Sequence, residues 1–329
     1  MSSGSVYDHQ LNLLYAHQRR DAPLDPATAS RGVNRLTVRQ ILLTGIPVHF
    51  GRTVVGVRSG TDRAWLDFAD GSTVCADLVI GADGINSMVR RNLAPDAGLV
   101  DTGLRAIYGQ SPLVEELVER LPGPLFGGSS PVLGPHRQTL ALGSYQPVVP
   151  HAEAVARTAP HARLDSFPDY MKWTLVAPAH QFALRGPALW RASARRLHEQ
   201  ARQCTADWHP ALAMLVERAE IPVTFPLAIR ASAPPDWPSG RVTLLGDAAH
   251  ATTPVGGTGA NTALRDAALL TQRLRRVIEG RLHLSEAVRG YEEQMRDYGS
   301  TAVRNSLRGA QKIFRADPAE FSSALVGVG

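Results

Sequence analysis

Several features that would place a protein in a specialised class are scarce in this sequence of 329 residues. It has only two cysteines, Cys75 and Cys204, so a disulfide framework is excluded and a reducing compartment is favoured. No stretch approaches the roughly 18 consecutive apolar residues of a transmembrane helix. The opening residues, MSSGSVYDHQLNLLYAHQRR, lack the apolar segment of a signal peptide. We therefore expect a soluble, cytoplasmic protein without a membrane span.

Common catalytic and metal-binding motifs are also missing. The sequence contains no His-Glu-x-x-His, Cys-x-x-Cys or Gly-x-Ser-x-Gly pattern, and no residue stands out as a catalytic acid or base or as a metal ligand. The formal net charge is +5, and the basic residues are nearly all arginines scattered among acids. This spacing is typical of a solvated surface and not of a nucleic-acid-binding stripe, although some arginines are available to steer an anionic cofactor or substrate.

The first hundred residues contain patterns of both helix and strand. The segment NRLTVRQILL at 34–43 predicts a helix that is capped by Asn34 and has an apolar face. VHFGRTVVGVRSG predicts a strand, and Asp70-Gly71 predicts a hairpin between two alternating runs. LVIGADG is apolar on both faces, as expected of a buried parallel strand that leads into a loop.

From about Gly98 to Phe225 the character of the sequence changes. Prolines and glycines become frequent, and short strands are predicted over QTLALGSYQPV and YMKWTLVAP, followed by a helix over ALWRASARRLHEQARQC. We expect an antiparallel sheet with helices, inserted into the first domain. RVTLLGD at 241–247 then resumes the buried-strand pattern, and helices are predicted at 261–278 and about 284–314.

Two predicted strands each end in a glycine and an acidic turn. They are LVIGADGINSMVR at 78–90 and VTLLGDAAHATTPVGGTGAN at 242–261. Ligands of doubly wound α/β sheets bind beyond the carboxyl ends of the strands. An aspartate there accepts a hydrogen bond from a ribose or ribityl hydroxyl, and glycine permits close approach of the backbone. The 256–259 loop leads directly into a helix, whose free N–H groups and positive dipole end favour a ring that carries negative charge.

These two segments resemble the signature segments of the FAD-dependent aromatic hydroxylases, the class A flavoprotein monooxygenases that include salicylate and para-hydroxybenzoate hydroxylases. The first matches the family pattern Asp-Gly-x-x-Ser-x-Val-Arg at Asp83, Gly84, Ser87, Val89 and Arg90. The second matches at Gly246, Asp247, Ala248, Ala249, His250, Pro254, Gly257, Gly259 and Asn261. The two motifs have the family's order and spacing, and the resemblance extends from about Asn34 to about Tyr298.

The resemblance implies an α/β fold and an enzymatic function. The expected architecture is a Rossmann-type, glutathione-reductase-like FAD-binding domain at 1–97 and 226–329, with an inserted antiparallel β-sheet substrate domain at 98–225. The implied activity is that of an NAD(P)H-consuming monooxygenase, in which a flavin hydroperoxide hydroxylates or epoxidises an aromatic or polyketide-like substrate with molecular oxygen. Substrate identity, the choice of NADH or NADPH, and a homo-oligomeric state stay open.

The resemblance also assigns cofactor-binding residues, and no catalytic ones. Asp247, after Gly246, would accept a hydrogen bond from the ribityl or pyrophosphate region of FAD, and Pro254 would line the flavin ring. Arg35 would contact the flavin. A second segment, linked to both FAD and NAD(P)H, contributes Asp83, Gly84 and Arg90. The residues expected to face the pyrimidine side of the ring are Gly257, Thr258, Gly259, Ala260 and Asn261.

One family motif is missing. The family begins with a strand and a G-x-G-x-x-G loop that holds the pyrophosphate, but this pattern occurs nowhere in the sequence. The residues before Asn34 are polar and predict no buried strand. The FAD-binding domain is therefore expected to be N-terminally incomplete. Three explanations stay open: a fragment of a longer monooxygenase, a short form that binds flavin weakly or with a partner chain, and a flavin-deficient relative that acts as a binding module or a cofactor-free enzyme.

Some residues of these segments have structural alternatives. His250 is expected to cap or pack, in preference to transferring protons. Asp266, inside a predicted helix, is expected to make a buried structural hydrogen bond. Arg90 pairs either with a surface acid or, as its motif position favours, with a ligand. Trp173 and Tyr170 face either a substrate or the core.

Overall fold

The computed structural model of the protein describes residues 5–16, 32–158 and 162–325. In chain order, its strands are β1 (Val6–Asp8), β2 (Leu13–Tyr15), β3 (Val54–Ser59), β4 (Ala64–Phe68), β5 (Thr73–Ala76), β6 (Val79–Gly81), β7 (Gly98–Pro112), β8 (Ser129–Leu133), β9 (Thr139–Tyr145), β10 (Tyr170–Pro178), β11 (Phe225–Ala231), β12 (Val242–Leu244) and β13 (Ser322–Leu325). Its α-helices are α1 (Arg35–Leu43), α2 (Met88–Leu93), α3 (Glu115–Arg120), α4 (His151–Thr158), α5 (Pro187–Arg191), α6 (Ala194–Cys204), α7 (Pro210–Glu217), α8 (Asp247–His250), α9 (Gly259–Ile278) and α10 (Leu284–Ile313).

The chain forms two compact units. The first consists of Met1–Val48 and Leu104–Ala228, and the second of His49–Gly103 and Ile229–Gly329. The chain passes from the first unit to the second after Val48, returns within β7 and passes to the second unit again within β11. The crossings within β7 and β11 lie a few residues from the predicted start and end of the substrate domain. The N-terminal residues, which we predicted to be part of the FAD-binding domain, group with the β-sheet unit.

A largely antiparallel sheet is the centre of the first unit. Its strand order is β11-β7-β10-β9-β8-β1-β2, and β10 pairs antiparallel with both β7 and β9. Met171, Trp173 and Leu175 alternate along β10 and are buried in a core that also contains residues of α6 and α7. Trp173 therefore belongs to the core, where its indole N–H donates to the Ser111 hydroxyl at 3.0 Å. Tyr170 points to the opposite face of the sheet, because neighbours along a strand alternate in direction.

The expectation that no buried strand precedes Asn34 is wrong. Strand β1 pairs in parallel with β8, and Tyr7 is buried in the core of the sheet unit. A strand of three residues is too short to show an alternating pattern in the sequence. Its position is fixed by the following turn, in which the Asp8 carboxylate accepts the backbone N–H groups of Gln10 and Asn12.

The helix predicted at 34–43 is confirmed as α1. The Asn34 carboxamide oxygen accepts the N–H groups of Leu36 and Thr37, which makes Asn34 the predicted N-cap. Its amide nitrogen donates to the Tyr170 hydroxyl at 3.0 Å, so the first turn of α1 is tied to the sheet. The apolar residues of the later turns are not buried; Ile41, for example, is 52% exposed. Within the described chain, the capping residue and not the apolar face anchors this helix.

The second unit contains the predicted hairpin and the predicted parallel strand. Gly71, with φ of +81°, turns the chain between β4 and β5 and confirms the hairpin. Strands β6 and β12 pair in parallel. The expectation that this segment is buried on both faces is wrong at Ile80, which is 41% exposed. Its neighbour across the pair, Thr243, is buried, and its hydroxyl donates to Glu292 of α10.

The long C-terminal helices are confirmed as α9 and α10, and α9 begins two residues before the predicted start at 261. One predicted helix is not continuous. The segment over 188–204 forms two helices, α5 and α6, because Ser193 interrupts it and accepts the N–H group of Arg196 as the N-cap of α6. None of the helices within 5–16, 32–158 and 162–325 is long and apolar enough to cross a membrane.

The buried carboxylate of Glu292 ties α10 to the rest of the second unit. It accepts hydrogen bonds from the Trp237 indole at 2.9 Å, from the Thr243 hydroxyl at 2.8 Å and from the Ser239 hydroxyl. The preceding residue, Tyr291, donates to the backbone carbonyl of Leu244 at 2.8 Å. Together these bonds fix the C-terminal end of β12, where the second acidic turn begins.

We expect the substitution Glu292→Ala to lower the free energy of unfolding by about 3 kcal/mol, because it leaves buried donors without an acceptor. The matched control is Glu293→Ala, which removes an exposed carboxylate from the next position of the same helix and is expected to change the free energy of unfolding little. Urea unfolding followed by tryptophan fluorescence measures both. Equal effects of the two substitutions would show that the Glu292 network does not stabilise the fold.

Candidate cofactor site

The turn at the end of β12 depends on a glycine. Gly246 has φ of +63° and ψ of −139°, a conformation that residues with a Cβ atom avoid. A Cβ at this position would also lie 3.1 Å from the Cβ of Ala263 in α9. The next residue, Asp247, begins α8 and has an exposed side chain. The turn therefore carries one carboxylate at the solvent-facing end of the strand.

The loop between α8 and α9 forms an exposed edge beside this turn. We call Asp247 together with residues 254–261 the 247–261 edge. Pro254, Gly257, Thr258, Ala260 and Asn261 are all exposed. Gly257 has φ of +61°, and no atom lies within 4 Å of the place that a Cβ would take. Backbone and ligand atoms can therefore approach one another closely at this position.

The start of α9 gives this edge its hydrogen-bond donors. The helix has 20 residues, and Thr258 at its N-cap makes no side-chain capping bond. The first N–H groups of a helix have no partner within the helix, and its N-terminus carries partial positive charge. The 247–261 edge thus combines one exposed carboxylate acceptor with uncapped backbone donors.

Asp83, in the first acidic turn, acts as a helix cap. Its carboxylate accepts the backbone N–H groups of Met88 at 2.7 Å and Val89 at 3.2 Å, and also the hydroxyl of Ser87. These bonds satisfy donors at the start of α2, where a negative charge is favourable. Gly84 follows with φ of +77°. The side chain of Asp83 is exposed, so capping leaves it accessible to a ligand.

Arg90 joins the two acidic turns. It is fully buried, and its guanidinium donates to the backbone carbonyl groups of Ala248 at 2.8 Å, of Asp247 at 3.4 Å and of Ile85. Burial is the main cause that lowers the pKa of Arg90. Among the described residues its Nε atom has no hydrogen-bond partner. The guanidinium therefore contacts backbone carbonyls and not a surface acid, and it links the turn at 83–87 to α8.

The buried carboxylate of Asp266 fixes the backbone of the second acidic turn. One carboxylate oxygen accepts the N–H group of Gly246 at 2.8 Å and lies 2.7 Å from Nε2 of His250; the other accepts the Tyr298 hydroxyl at 2.5 Å. His250 and Asp266 are buried, as expected from the sequence. Burial and the bond to Asp266 raise the pKa of Tyr298, and the guanidinium of Arg265 lies 4.0 Å from its ring centroid. Asp266 therefore acts on the site through the backbone.

Sequence reasoning missed Tyr298 and the bridging role of Arg90. The signal for Tyr298 was its spacing of seven residues from Tyr291, which places both tyrosines on one side of α10. Arg35 belongs to a different unit from the other predicted cofactor residues. It is the first residue of α1 in the first unit, whereas the other eleven belong to the second.

The substitution Asp266→Ala is expected to destabilise the second unit by about 3 kcal/mol, because it leaves the Gly246 N–H group and the Tyr298 hydroxyl without their acceptor. Asp266→Asn, which keeps an acceptor oxygen, is expected to lose less. Asp297→Ala, an exposed position on α10, is the control. Thermal and urea unfolding measure the three variants. A loss for Asp266→Ala no larger than that for the control would contradict the assigned role.

The 247–261 edge fits the flavin and ribityl part of FAD. A carboxylate acceptor suits ribityl hydroxyls, uncapped N–H groups suit the polar edge of the ring, and the space at Gly257 allows a flat group to approach the backbone. The chemistry of the donors and acceptors thus agrees with the cofactor that the sequence implies.

Comparison with known proteins finds similarity to FAD-binding proteins. Residues 172–306 match the family of FAD binding domains. The chain is 32% identical over 301 residues to the dual O-methyltransferase/FAD-dependent monooxygenase elcB of Phaeosphaeria nodorum, with 83% of this chain and 31% of that protein covered. It is 30% identical over 290 residues to 3-amino-4-hydroxybenzoate 2-monooxygenase of Streptomyces cremeus, with 85% of this chain and 61% of that protein covered. The chain thus spans about a third of the length of the first of these relatives.

Solved structures show the same fold. A putative FAD containing monooxygenase from Photorhabdus luminescens matches with a TM-score of 0.75 and 29% identity, covering 95% of this chain and 79% of that one. A salicylate hydroxylase in complex with its substrate matches with a TM-score of 0.66 and 22% identity, covering 96% of this chain and 74% of that one. These matches confirm the predicted fold class.

Proposed function

We propose that this chain, a homologue of the FAD-dependent aromatic monooxygenases, binds FAD at its 247–261 edge and acts as an NAD(P)H-consuming monooxygenase. The observation that carries the proposal is the edge itself. It combines the exposed Asp247, the open space at Gly257 and the uncapped start of α9 within the segment matched to FAD binding domains, and Asn261 lies in the first turn of that helix. Relatives named as 6-methylsalicylate 1-monooxygenase and 6-hydroxynicotinate 3-monooxygenase support an aromatic substrate.

The residues of the edge would divide the work of holding the cofactor. Asp247 would accept hydrogen bonds from ribityl hydroxyls, and Pro254 would line the ring. The backbone at 257–261 would face the pyrimidine side, where N–H groups and the positive end of α9 stabilise negative charge on a reduced ring. When bound, FAD supplies the transfer of electrons from NAD(P)H and the activation of molecular oxygen.

Other residues would act on the site by positioning. Arg90 holds the carbonyl groups of both turns, and Asp266 holds the N–H group of Gly246, so the backbone near Asp247 is fixed before any ligand arrives. A preformed arrangement avoids the cost of ordering the loop on binding. Asp83, Gly84 and Arg35 belong to the proposed cofactor set on the strength of their motif positions.

The proposal also includes the substrate class and the cellular compartment. The substrate would be an aromatic or polyketide-like small molecule, and the reaction is proposed to take place in the cytoplasm. Both cysteines are free, Cys75 exposed and Cys204 partly buried, which fits a reducing compartment.

FAD binding tests the proposal most simply. The purified chain is titrated against FAD, and the quenching of flavin fluorescence gives the dissociation constant. We expect Asp247→Ala to weaken binding by about tenfold or more, because it removes a hydrogen bond to a charged acceptor. Asp236→Ala removes another exposed carboxylate of the same unit and should leave binding unchanged.

Turnover is measured on the same preparation as oxidation of NADH or NADPH coupled to oxygen uptake. A chain that is folded but neither quenches flavin fluorescence nor retains flavin through desalting would contradict the proposal. It would favour the alternative of a flavin-deficient relative.

A further inference from the structure

We infer that Tyr298 is a positioning residue of the candidate cofactor site. Its hydroxyl holds the Asp266 carboxylate in the orientation that fixes Gly246, and the turn at Gly246 leads directly into Asp247. The exposed side chain of Arg265 in turn holds the tyrosine ring. The inference rests on the proposed function only where it links this turn to the binding of FAD.

The two oxygen atoms of the Asp266 carboxylate have different partners. Oδ2 accepts the N–H group of Gly246 at 2.8 Å and lies 2.7 Å from Nε2 of His250. Among the residues that the structure describes, Oδ1 accepts only the Tyr298 hydroxyl, at 2.5 Å. Asp266 is fully buried, and an unpaired oxygen of a buried carboxylate is costly. Without the hydroxyl, we therefore expect the carboxylate to rotate and share its remaining partners between both oxygens.

The imidazole of His250 is not placed to replace this hydroxyl. The ring is buried and lies against α10, where a Cβ atom at Gly299 would be only 2.8 Å from its Cδ2 atom. This close packing leaves the ring little freedom, and its Nε2 atom already faces Oδ2 of Asp266. The donor to Oδ1 must therefore come from Tyr298.

The Tyr298 hydroxyl keeps its proton at neutral pH. Burial, followed by the bond to Asp266, raises the pKa of this phenol, whereas the charge of Arg265 lowers it by less. The hydroxyl therefore acts as the donor and the ionised carboxylate as the acceptor. Such charge-assisted hydrogen bonds are stronger than those between neutral groups. The contact is strong enough to set the orientation of the carboxylate.

Arg265 restrains the ring that carries this hydroxyl. Its guanidinium lies 4.0 Å from the centroid of the Tyr298 ring, which is a cation–π contact. Arg265 directly precedes Asp266 in α9, so two consecutive residues of one helix contact the same tyrosine of α10. One of them binds the face of the ring and the other binds its hydroxyl. The position of Tyr298 is thus fixed at two points.

The consequence of this restraint lies at the turn. Gly246 has φ of +63° and ψ of −139°, and its N–H group donates to the Asp266 carboxylate. A rotated carboxylate would lengthen this bond, and Asp247 would move with the turn. A ligand binds less tightly where it must first order the groups that receive it. Loss of the Tyr298 hydroxyl is therefore expected to lower the affinity for FAD.

The sequence permits a direct measurement on Gly246. Leucine precedes glycine at only three places, so labelling with ¹³C-carbonyl leucine and ¹⁵N-glycine restricts the filtered NMR spectrum to the amides of Gly134, Gly143 and Gly246. The first two glycines belong to the first unit and serve as internal references. The spectra are recorded on the flavin-free chain.

Tyr298→Phe keeps the ring and removes only the hydroxyl. We expect it to move the amide proton signal of Gly246 upfield, because a longer hydrogen bond deshields the proton less, while the two reference signals stay in place. Arg265→Leu should move the Gly246 signal in the same direction by a smaller amount. Arg276→Leu removes another exposed arginine of α9 and should leave the signal unchanged.

A double-mutant cycle tests whether Tyr298 acts through Asp266. In a chain that already carries Asp266→Asn, adding Tyr298→Phe should change the Gly246 signal little, because coupled residues are not additive. Titration with FAD then gives the affinities. We expect Tyr298→Phe to weaken binding about fivefold, which corresponds to one hydrogen bond, and Arg276→Leu to leave it unchanged. Circular dichroism checks that each variant is folded.

Three outcomes would overturn the inference. They are a Gly246 signal that Tyr298→Phe leaves in place, an equal effect of Tyr298→Phe with and without Asp266→Asn, and an unaltered FAD affinity of Tyr298→Phe. If Asp266→Asn does not fold, the spectrum of Tyr298→Phe alone decides.

The spectra also separate this inference from the proposed function, because they need no flavin. A chain that shows the Gly246 shift but binds no FAD would retract the proposed function and keep the role of Tyr298 in the turn. A chain that binds FAD but shows no shift would keep the function and retract the inference.

Discussion

The contact on which the candidate site depends most is the one between the Asp266 carboxylate and the N–H group of Gly246. Gly246 occupies a backbone conformation that costs energy for most residues, and the turn keeps it because a buried acceptor lies 2.8 Å behind its N–H group. The same carboxylate contacts His250 on α8 and Tyr298 on α10. One acid therefore connects the strand end, the helix that begins at Asp247 and the long C-terminal helix.

A second set of buried polar groups fixes the backbone of the neighbouring turn in the same way. Arg90 is buried, and its guanidinium donates to carbonyl groups of both turns, while Asp83 caps the helix that carries Arg90. Buried polar groups of this kind are costly when unpaired and rigid when paired. The consequence is a separation of roles: buried charges shape the backbone, whereas Asp247 and the start of α9 lie exposed at the surface.

Sequence reasoning succeeded where local chemistry determines the structure. The Asn34 cap, the hairpin at Gly71, the parallel strand before Asp83 and the two long helices all carry local signals, and the two acidic turns led to the family resemblance that the comparisons confirm. It failed where tertiary contacts decide. The pattern alone did not show that Ser193 divides a helix, that Ile80 stays exposed or that a three-residue strand at 6–8 joins the sheet. The roles of Arg90 and Tyr298 likewise depend on partners more than 30 residues away in sequence.

The central claim is that the uncapped start of α9 and the exposed turn at Asp247 receive the flavin part of FAD. Amide hydrogen exchange, compared with and without FAD, tests it at the level of single segments. The account predicts that FAD slows exchange of the backbone N–H groups at 257–262, while exchange in the hairpin of β4 and β5 stays unchanged. Bound FAD that leaves exchange at 257–262 unaltered would contradict the account and place the cofactor elsewhere on the chain.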